Sequence, residues 1–586
     1  MIKDFISGIQ VNETPEEIEA VQPFLKILVE DYNYPKNLIR SKPQYRVKVS
    51  PSDTKKEYPI DIAVFSDSKM RDEDLHIIVE CKRKNKKDGI NQLKDYLRLS
   101  NAFIGVWFNG EEKLYLRKYE GNKGQINFEE IPNIPVYGQR LEDIGKFKRR
   151  DLKETHNLKS VFKSIRFHLA ANNVGTKRDE ALAQQLINII FCKIFDEKFT
   201  PPDEIVSFRA GINEEPKVIR KRIDKLFKDV KLKYKDVLDE SDDISLIDDS
   251  SLVYVIGELQ LYCLIDAERD VVADAFETFI GGALKGGQGQ FFTPRNVIKM
   301  MIDILDIKED ETVLDPACGT GGFLIETLRN VWENIDKKRK KLKWDVSAIQ
   351  EEKIKYAYNN ISGIDADYFL AKVTKAYMAI LGDGKGNIFC EDSLENPKNW
   401  SSKTKQNINL GKFDVVLSNP PFGSKIPVKG KEKLSQFEFG YKWKLDKKNY
   451  KWSKEKIREK EAPQIIFIER CLEFLKEGGK LGIVLPDGIF GNDKLGYIRE
   501  YLLEKTNIIA VIDVPFETFM PNTPTKTSIL ILRKKKSEDK DKVYPIFMAV
   551  AETCGHDRRA KFVDDDDIAK IAPKFKEWQL NNKIKL

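Results

Sequence analysis

The strongest chemical signal in the sequence is a glycine-rich turn followed, further along the chain, by an asparagine and two prolines. The turn is the run DPACGTGGFL at residues 315–324, which comes directly after an apolar run and opens a helical pattern. Glycines allow a sharp backbone turn and let a ligand approach the chain closely. Because the run lacks the lysine of a P-loop and the GxGxxG spacing, it does not predict a phosphate-binding loop.

The second motif is Asn419-Pro420-Pro421-Phe422, directly after the apolar run 415–418, which we predict to be a strand. This position is the carboxyl edge of the predicted sheet, where open α/β folds bind their ligands. Two carboxylates, Asp365 and Asp392, follow the strands predicted between the two motifs. A carboxylate after the second strand can accept hydrogen bonds from ribose hydroxyls, and one after the third can accept from an adenine amine.

These motifs occur together with QFFTPR at 290–295, LKEGG at 475–479, VLPDG at 484–488 and the run 519–532. In this order they resemble the amino-methylating DNA methyltransferases, in particular the modification subunit of type I restriction systems. The resemblance covers roughly residues 160–580 and is specific because several motifs are linked. It implies S-adenosyl-L-methionine as cofactor, held by Phe291, Thr293, Pro294, Asp315, Gly319, Gly321, Phe323, Asp365 and Asp392. It implies that the target adenine lies at Asn419, Pro420, Pro421 and Phe422.

The residue types of the Asn-Pro-Pro-Phe motif suit transfer of a methyl group to an exocyclic amine. The adenine N6 amine is a poor nucleophile because its lone pair is delocalised into the ring. The side-chain oxygen of Asn419 and the carbonyl of Pro420 can accept its two hydrogens and favour a tetrahedral nitrogen. Phe422 can stack on a base extruded from the duplex. The sequence has no Pro-Cys dipeptide of the kind that cytosine-C5 methyltransferases use.

A second candidate site lies near the start of the chain. Asp61 on one predicted strand is followed by Glu80-Cys81-Lys82 on the next. Two carboxylates can hold Mg²⁺ beside a scissile phosphate, and the lysine can orient or activate the attacking water. With Gln92 and Tyr96 on the following helix, residues 15–120 resemble the PD-(D/E)xK nuclease domain of type I restriction subunits. A degenerate nuclease fold, kept for DNA binding or assembly, is the alternative.

A basic insert follows the Asn-Pro-Pro-Phe motif, at residues 425–460. It has thirteen Lys or Arg residues against five Asp or Glu residues. Six aromatic residues are interleaved with the lysines: Phe437, Phe439, Tyr441, Trp443, Tyr450 and Trp452. Positive charge mixed with aromatic rings, next to the proposed target site, predicts contacts with phosphates and bases.

Composition describes a chain of several folded domains. Its 586 residues are 41% hydrophobic and 33% charged, and no apolar run is long enough to span a membrane. We therefore expect a cytoplasmic protein. The seven cysteines form no CxxC pair and the four histidines no HExxH motif, which argues against disulfides and zinc. The net charge of +7 is by itself weak evidence for a nucleic-acid partner.

Periodicity divides the chain into four regions and predicts an α/β fold. Residues 1–150 mix a helix with strands and form the PD-(D/E)xK-like domain, and residues 151–285 read as a helical domain. Residues 286–545 alternate buried strands with helices, which predicts a doubly wound, Rossmann-like parallel sheet. Residues 546–586 are predicted to form a helical tail that docks on a partner. The predicted strands are 60–65, 75–80, 103–108, 312–314, 361–364, 415–418, 481–485, 508–512 and 528–532, and the predicted helices include 181–195, 271–279 and 568–578.

The order of nuclease-like, helical and methyltransferase domains resembles the fused restriction enzymes of types IIB, IIG and IIL. Few residues remain after the last predicted strand for a target-recognition domain, so we expect a separate specificity subunit. Double-stranded DNA and further copies of the chain are the other expected partners. Two rival functions stay open: an RNA or protein amide methyltransferase, and a methyltransferase whose nuclease-like domain is only a scaffold.

Overall fold

Two β-sheets, one in each half of the chain, organise the protein in the computed structural model. It describes residues 1–48, 57–84, 86, 88–121, 124–154, 157–172, 179–235, 238, 240–265, 293–381, 387–423, 426–520, 523, 525–539, 543–558, 561–582 and 584. The chain divides into two units, Met1–Lys285 and Gly286–Leu586. In the described parts, no helix has the length and apolar character needed to cross a membrane.

The first unit contains a six-stranded mixed sheet. The strands of the unit are β1 (Ile2–Lys3), β2 (Gln10–Val11), β3 (Ile39–Arg40), β4 (Tyr45–Lys48), β5 (Glu57–Ile60), β6 (Ile62–Phe65), β7 (Leu75–Cys81), β8 (Ile104–Phe108), β9 (Lys113–Glu120) and β10 (Ile126–Glu130). The sheet order is β10-β9-β8-β7-β6-β3, with only β7 and β8 parallel. Their crossover carries α2 (Ile90–Leu99), as parallel neighbours require. Before the sheet, a π-helical turn (Glu17–Val21) leads into α1 (Gln22–Glu30).

The rest of the first unit is helical. It contains α3 (Leu158–Asn172), α4 (Asp179–Phe199), α5 (Pro216–Lys233) and α6 (Asp249–Leu259). Pro216 opens α5 at a position where its missing N–H costs nothing, and Asp248 caps α6 by accepting from the Ser251 N–H. The predicted helix 181–195 lies inside α4, whereas the predicted helix 271–279 falls outside the described residues.

A buried polar network joins the sheet of the first unit to its helices. The Glu258 carboxylate on α6 accepts from Lys113 Nζ at 2.8 Å and from the Tyr115 hydroxyl at 2.7 Å, both on β9. At Gly257 a Cβ atom would lie 2.2 Å from the Pro132 carbonyl oxygen, so only glycine permits this approach. The regions on either side of the predicted boundary at residue 150 lie in one unit, Met1–Lys285.

The second unit contains an eight-stranded sheet flanked by helices. The strands of this unit, including those of three small two-stranded sheets, are β11 (Val313–Asp315), β12 (Ile361–Asp365), β13 (Asn387–Cys390), β14 (Phe413–Ser418), β15 (Val428–Lys429), β16 (Tyr441–Asp446), β17 (Lys451–Ile457), β18 (Lys460–Glu461), β19 (Leu475–Pro486), β20 (Thr506–Asp513), β21 (Thr527–Lys534), β22 (Phe547–Val550), β23 (Cys554–His556) and β24 (Phe562–Asp566). Its helices are α7 (Arg295–Leu305), α8 (Gly322–Lys341), α9 (Val346–Asn360), α10 (Tyr368–Leu381), α11 (Ser402–Asn407), α12 (Lys431–Leu434), α13 (Pro463–Phe474), α14 (Gly488–Gly491), α15 (Gly496–Lys505) and α16 (Ile568–Asn582). Across both units, 3₁₀ turns occupy Lys36–Leu38, Asp72–Asp74, Leu141–Asp143, Arg149–Asp151, Pro397–Asn399, Glu438–Gly440, Asp493–Leu495 and Phe516–Phe519.

The sheet order of the second unit is β13-β12-β11-β14-β19-β21-β20-β22. Strands β13, β12, β11, β14 and β19 are parallel, and their order reverses at β11 in the doubly wound manner. The prediction of a wholly parallel sheet is wrong at β21, which runs antiparallel to both β19 and β20. Between β20 and β21 the described residues contain only the short turn Phe516–Phe519, and an antiparallel neighbour needs no longer crossover.

The C-terminal residues pack onto this same unit. β22 extends the sheet by pairing parallel with β20, and α16 lies against α7. The Phe547 ring lies 5.3 Å from that of Phe575 and 5.4 Å from that of Trp578. The predicted boundary at residue 545 therefore differs from the structure, because it would cut one sheet. The helix of the tail predicted to dock on a partner packs within the chain through Phe575 and Trp578.

Candidate functional site

The carboxyl ends of three neighbouring parallel strands bring predicted site residues of the second unit to one edge. Asp315 ends β11 and Asp365 ends β12, while Asn419 directly follows β14. β11 lies between β12 and β14, with Leu314 aligned to Ser362 on one side and to Val416 on the other. The edge therefore carries a turn, two carboxylates and an amide next to the point where the strand order reverses.

The glycine-rich turn is held by backbone hydrogen bonds. Cys318 N–H donates to the Ile364 carbonyl at 2.9 Å, and Gly321 N–H donates to the Cys318 carbonyl at 2.7 Å. Gly319 and Gly321 have φ values of +53° and +85°, a region that favours glycine. No atom lies within 4 Å of the position that a Cβ of Gly319 would occupy. The turn thus leaves open space above its backbone, as a cradle for a ligand requires.

Asp365 closes the turn from the neighbouring strand. Its two carboxylate oxygens accept from Gly319 N–H at 2.8 Å and from Asp367 N–H at 2.9 Å. Burial raises the pKa of Asp365 to about 6, although the two backbone donors work in the opposite direction. Each oxygen keeps a lone pair for a hydroxyl donor, so the carboxylate fits the role of a ribose acceptor.

Other predicted cofactor residues are placed deeper. Asp315 is 1% exposed and accepts from Ala317 N–H, and burial raises its pKa well above its ordinary value. Phe323 is also buried, in the first turn of α8. Pro294 is the N-cap residue of α7, and Phe291 lies outside the described residues. Asp315 and Phe323 are therefore buried beneath the turn, and Asp315 is hydrogen-bonded to its backbone.

Asp392 has a partner that the sequence did not reveal. Its carboxylate accepts from Lys433 Nζ at 2.5 Å and from Leu394 N–H at 2.9 Å. Lys433 also pairs with Glu395 at 3.1 Å. The lysine belongs to the basic insert, so this ion pair joins the insert to the predicted cofactor edge. No local sequence pattern marks a contact between residues so far apart in the chain.

The side chain of Asn419 is hydrogen-bonded to Thr293. Asn419 Nδ2 donates to Thr293 Oγ1 at 2.9 Å. Asn419 Oδ1 is buried and has no hydrogen-bond partner among the described residues. A buried acceptor without a partner is costly, and such atoms mark places where a ligand completes the site. The structure thus brings Thr293, predicted as a cofactor residue, onto the predicted catalytic amide.

The rest of the Asn-Pro-Pro-Phe motif lies against the core. Pro420 is buried and Phe422 is 7% exposed, while Pro421 is half-buried. Gly423 N–H, directly after the motif, donates to Gln464 Oε1 at 3.3 Å. The loop is therefore anchored at both ends, and Phe422 offers little free surface for stacking in this state.

The aromatic residues of the basic insert mostly pack inward, which corrects the prediction that they face bases. Phe437 and Phe439 are fully buried. Trp443 stacks on Tyr497 at 5.6 Å, and Trp452 meets the same ring edge-on. Only Tyr450, of the six, is strongly exposed, at 80%. Alternation of aromatic and lysine residues along β16 is the signal that could have shown this packing.

The predicted metal residues of the first unit lie together. Cys81 N–H donates to Asp61 Oδ2 at 2.8 Å, which places Asp61 beside the end of β7. Glu80 is 1% exposed and forms an ion pair with Lys82. Burial and the negative charge of Asp61 raise the pKa of Glu80, and burial raises that of Asp61. Two buried carboxylates that oppose each other's ionisation suit a cation between them.

The start of α2 closes over this cluster. Gly89, with φ +98°, precedes α2, and a Cβ there would lie 2.7 Å from Lys82 Cε and 3.4 Å from Glu80 Cγ. Sequence reasoning missed Glu16, whose pKa is raised by burial and by the charge of Asp61. Glu16 stands directly before a helical turn, and nothing in its local sequence indicates a contact with Asp61.

The cluster holds fewer ligands than a closed metal site. In the part of the chain that is described, no group of three or more His, Cys, Asp or Glu side chains is arranged to hold a metal ion. A cation at Asp61 and Glu80 would therefore be held by two carboxylates and water. Mg²⁺ commonly keeps several waters and uses one or two carboxylates, so the pair fits that ion.

The sheet and its glycine turn place the second unit in the class of Rossmann-like α/β folds. Residues 267–585 match the family described as N-6 DNA Methylase. This match spans more than half of the chain, so the chain belongs to that family. Residues 15–135 match a second family, described as the N terminus of the type I restriction enzyme R protein.

Curated relatives agree with the larger match. The chain is 28% identical over 271 residues to the type I restriction enzyme EcoEI methylase subunit of Escherichia coli, covering 46% of this chain and 47% of the relative. It is 26% identical over 347 residues to the MjaVII methylase subunit of Methanocaldococcus jannaschii, covering 56% and 51%. The chain thus spans about half the length of the curated relatives it matches.

A solved structure is similar at lower identity. A type I restriction-modification methyltransferase subunit from Streptococcus thermophilus aligns with a TM-score of 0.47 and 17% identity, covering 72% of this chain and 94% of the other. This similarity does not bear on function.

Proposed function

We propose that the chain methylates the N6 amine of adenine in DNA, as the modification subunit of a restriction system. The observation that carries the proposal is Asn419 Oδ1, a buried acceptor without a partner among the described residues, at the carboxyl edge of the sheet. Membership of the N-6 DNA methylase family supports the same reaction. The test is to incubate the full chain, alone and with its specificity subunit, with duplex DNA and methyl-labelled S-adenosyl-L-methionine.

The products separate the candidate functions. Label recovered as N6-methyladenine after digestion to nucleosides supports the proposal. Label on RNA or on a protein amide instead would favour the rival methyltransferases, because Asn-Pro-Pro-Phe also suits other planar amines. Absence of transfer to any of these substrates, with the specificity subunit present, would leave a DNA-binding scaffold.

The cofactor residues proposed for the chain are those at the carboxyl edge. S-adenosyl-L-methionine, when bound, supplies a methyl group activated by a sulfonium. The open turn at Gly319 and Gly321 admits a ligand close to the backbone, and Asp365 accepts from ribose hydroxyls. We also assign Asp392 to the amine on the adenine of the cofactor. Its carboxylate would have to bind that amine beside Lys433 or in place of it.

At the target site, the hydrogen-bond acceptors for the target amine are already in position before the substrate binds. Thr293 holds the amide of Asn419 through Nδ2, and Oδ1 is the atom without a partner among the described residues. Oδ1 and the Pro420 carbonyl then accept the two hydrogens of the target amine, which turns the nitrogen lone pair away from the ring. Positioning of this kind costs no reorganisation during the reaction.

Asp365 gives a pH-dependent prediction. Its pKa in the free protein is raised to about 6, and the ionised form is the one that accepts from both ribose hydroxyls. We therefore expect the Kd for the cofactor to rise about tenfold per pH unit below pH 6 and to be flat above about pH 7. Calorimetry across this range measures it.

Asp365→Asn provides the matched control. It should bind the cofactor about 1–3 kcal/mol more weakly and lose the pH dependence, because an amide does not titrate in this range. A wild-type Kd that is unchanged between about pH 5 and about pH 8 would show that Asp365 only caps the turn.

Thr293 gives a prediction about catalysis separate from binding. Thr293→Val removes the hydroxyl that holds the Asn419 amide, so we expect kcat to fall by about 10-fold or more. Thr293→Ser keeps the hydroxyl and should keep most of kcat. If Thr293→Val instead raises the cofactor Kd and leaves kcat unchanged, Thr293 serves the cofactor and not the amide.

We also propose, as a second activity, Mg²⁺-dependent DNA cleavage by residues Asp61, Glu80 and Lys82. The specific observation is the buried pair of carboxylates with raised pKa values, beside a lysine. The match of residues 15–135 to the N terminus of the restriction enzyme R protein favours it. The alternative, an inactive domain that binds DNA or assembles the complex, predicts no cleavage under any condition.

The proposed partners are duplex DNA, a separate specificity subunit and a second copy of the chain. The curated relatives are named as methylase subunits, which supports assembly with other subunits. Co-purification followed by mass measurement of the complex tests this composition.

A further inference from the structure

The basic insert contains a β-hairpin with two different faces. β16 and β17 are antiparallel, with Leu445 opposite Trp452 and Lys444 opposite Ser453. Along β16, half-buried and exposed residues alternate strictly, and the exposed ones are Lys442, Lys444 and Asp446. The hairpin (residues 441–457) carries seven lysines against two acidic residues.

The inner face of the hairpin is fixed to the core of the second unit. The rings of Trp443 and Trp452 both lie 5.6 Å from that of Tyr497, on α15. A Cβ on Gly496 would lie 2.9 Å from the Trp452 ring, so the contact is tight. At the base, the buried Glu469 carboxylate accepts from Glu438 N–H and Phe439 N–H at 2.8 and 3.0 Å. The hairpin is therefore fixed to the second unit along its inner face.

The outer face carries more lysines than acids, with Asp446 as the exposed acid of β16. Lys442, Lys444 and Lys451 are exposed, and no ion pair engages their ammonium groups within the described chain. Lys454, by contrast, pairs with Glu438 and lies over the Tyr441 ring. Lys447, Lys448 and Lys456 are also exposed without an ion pair among the described residues. We give the name lysine face to the two such lysines on β16 and the one on β17 that lies opposite the end of β16: Lys442, Lys444 and Lys451.

The insert begins and ends beside the candidate target site. It leaves the Asn-Pro-Pro-Phe loop at Gly423, which is bonded to Gln464 at the start of α13. Lys433, within the insert, reaches Asp392 on the cofactor edge. A strand of seven residues is about 23 Å long, and a two-stranded ribbon is of a size that fits the major groove.

We propose that the lysine face binds the phosphates of the DNA duplex on which the target adenine lies. This inference rests on the proposed function, since it assigns the duplex to a named surface of the same unit. The chemistry that favours DNA over an acidic protein is the grouping of three unpaired ammonium groups on a hairpin that packs against the core beside the target loop. Three such contacts release condensed counterions, which makes the binding depend on salt.

The test compares two triple variants of the full chain. One changes Lys442, Lys444 and Lys451 to Gln, and the control changes Lys340, Lys341 and Lys343, exposed lysines at and just after the end of α8, to Gln. Both remove the same charge. Fluorescence anisotropy measures the Kd for a duplex of two to three helical turns over a range of salt concentrations, without methyl transfer.

For the lysine-face variant we expect the slope of log K against log[salt] to become shallower by about 2 to 3, with affinity at least about tenfold weaker at low salt. The control should keep the wild-type slope. Unchanged cofactor affinity and melting temperature show that the variant is folded.

Three results would overturn the inference: a wild-type slope in the lysine-face variant, an equal loss in the control, or no binding of duplex by the wild type. A variant that binds DNA normally but loses its protein partner assigns the surface to that partner instead. A chain that binds duplex through the lysine face without methylating adenine would overturn the proposed function and leave this inference standing.

Discussion

Asn419→Ala is expected to lower methyl transfer to adenine by at least about 100-fold, the scale for losing one polar group held against a reacting centre. The reason is that Asn419 Oδ1 is the buried acceptor without a partner at the target site. Cofactor affinity should stay near the wild-type value, because the cofactor turn is held by its own backbone hydrogen bonds. Single-turnover transfer of labelled methyl and calorimetry with the cofactor measure the two quantities separately.

Two further variants sharpen this prediction. Asn419→Asp keeps an acceptor but loses the donor to Thr293, so it should retain more activity than Asn419→Ala while falling below wild type. Asn334→Ala is the matched control, since Asn334 is an exposed asparagine on α8. If Asn419→Ala still forms N6-methyladenine at the wild-type rate, the mechanism proposed for this loop is wrong.

The placement of the main site followed from the sequence because local patterns carry it. A strand, a glycine turn and a helix are adjacent in the chain, so the run DPACGTGGFL was enough to predict a turn between a strand and a helix. Asp365 and Asn419 each end or follow an apolar run, and parallel strands bring such positions to one edge. The positions of these residues at one edge of the sheet could therefore be predicted from residue type and order.

The contacts between these elements were not predictable in the same way. Thr293 and Asn419 lie 126 residues apart, and Lys433 and Asp392 lie 41 apart. A single sequence records which residues are polar, but the partner of each depends on how the elements pack. Sequence reasoning therefore predicted that Thr293 matters and assigned it only to the cofactor, and it did not foresee Lys433 at all.

The direction of β21 and the packing of the aromatic residues in the insert could not be predicted from the sequence either. The run Ser528–Leu532 is buried on both faces of the sheet, and the order of its residues does not indicate whether the strand is parallel or antiparallel to its neighbours. In the insert, Trp443 and Trp452 are as consistent with a packed hairpin face as with a stacking surface. Only the position of Tyr497 decides between the two.

The largest effect in the first unit is expected for DNA cleavage. With its specificity subunit, Mg²⁺ and unmethylated DNA bearing the recognition site, the chain should cut the duplex. Asp61→Asn and Glu80→Gln should each reduce cleavage by at least about 100-fold, because each removes a charge that holds the cation at the reacting phosphate. Lys82→Ala should do the same by leaving the attacking water without its partner. Methylation should change little, since the two sites belong to different units.

Stability gives a readout of the same site that does not depend on cutting. Glu80 has a folded-state pKa above its ordinary value, so its contribution to stability is present at low pH and is lost as the pH rises through that raised pKa. In the absence of metal, Glu80→Gln should therefore melt at a higher temperature than wild type at alkaline pH, with the difference shrinking as the pH falls. Mg²⁺ binds the folded form of wild type and should raise its melting temperature, but not that of Glu80→Gln.

The two readouts together decide what the domain does. Asp95→Asn, an exposed acid on α2, is the control and should behave as wild type in both. Cleavage by wild type, lost in all three site variants, establishes a nuclease. A Mg²⁺-dependent rise in melting temperature without any break or nick would mean a cation site kept in a domain that no longer cuts. If Lys82→Ala cuts as well as wild type, or if Mg²⁺ leaves wild type unchanged and no cut appears, the acid pair is a structural relic and the chain is a methyltransferase alone.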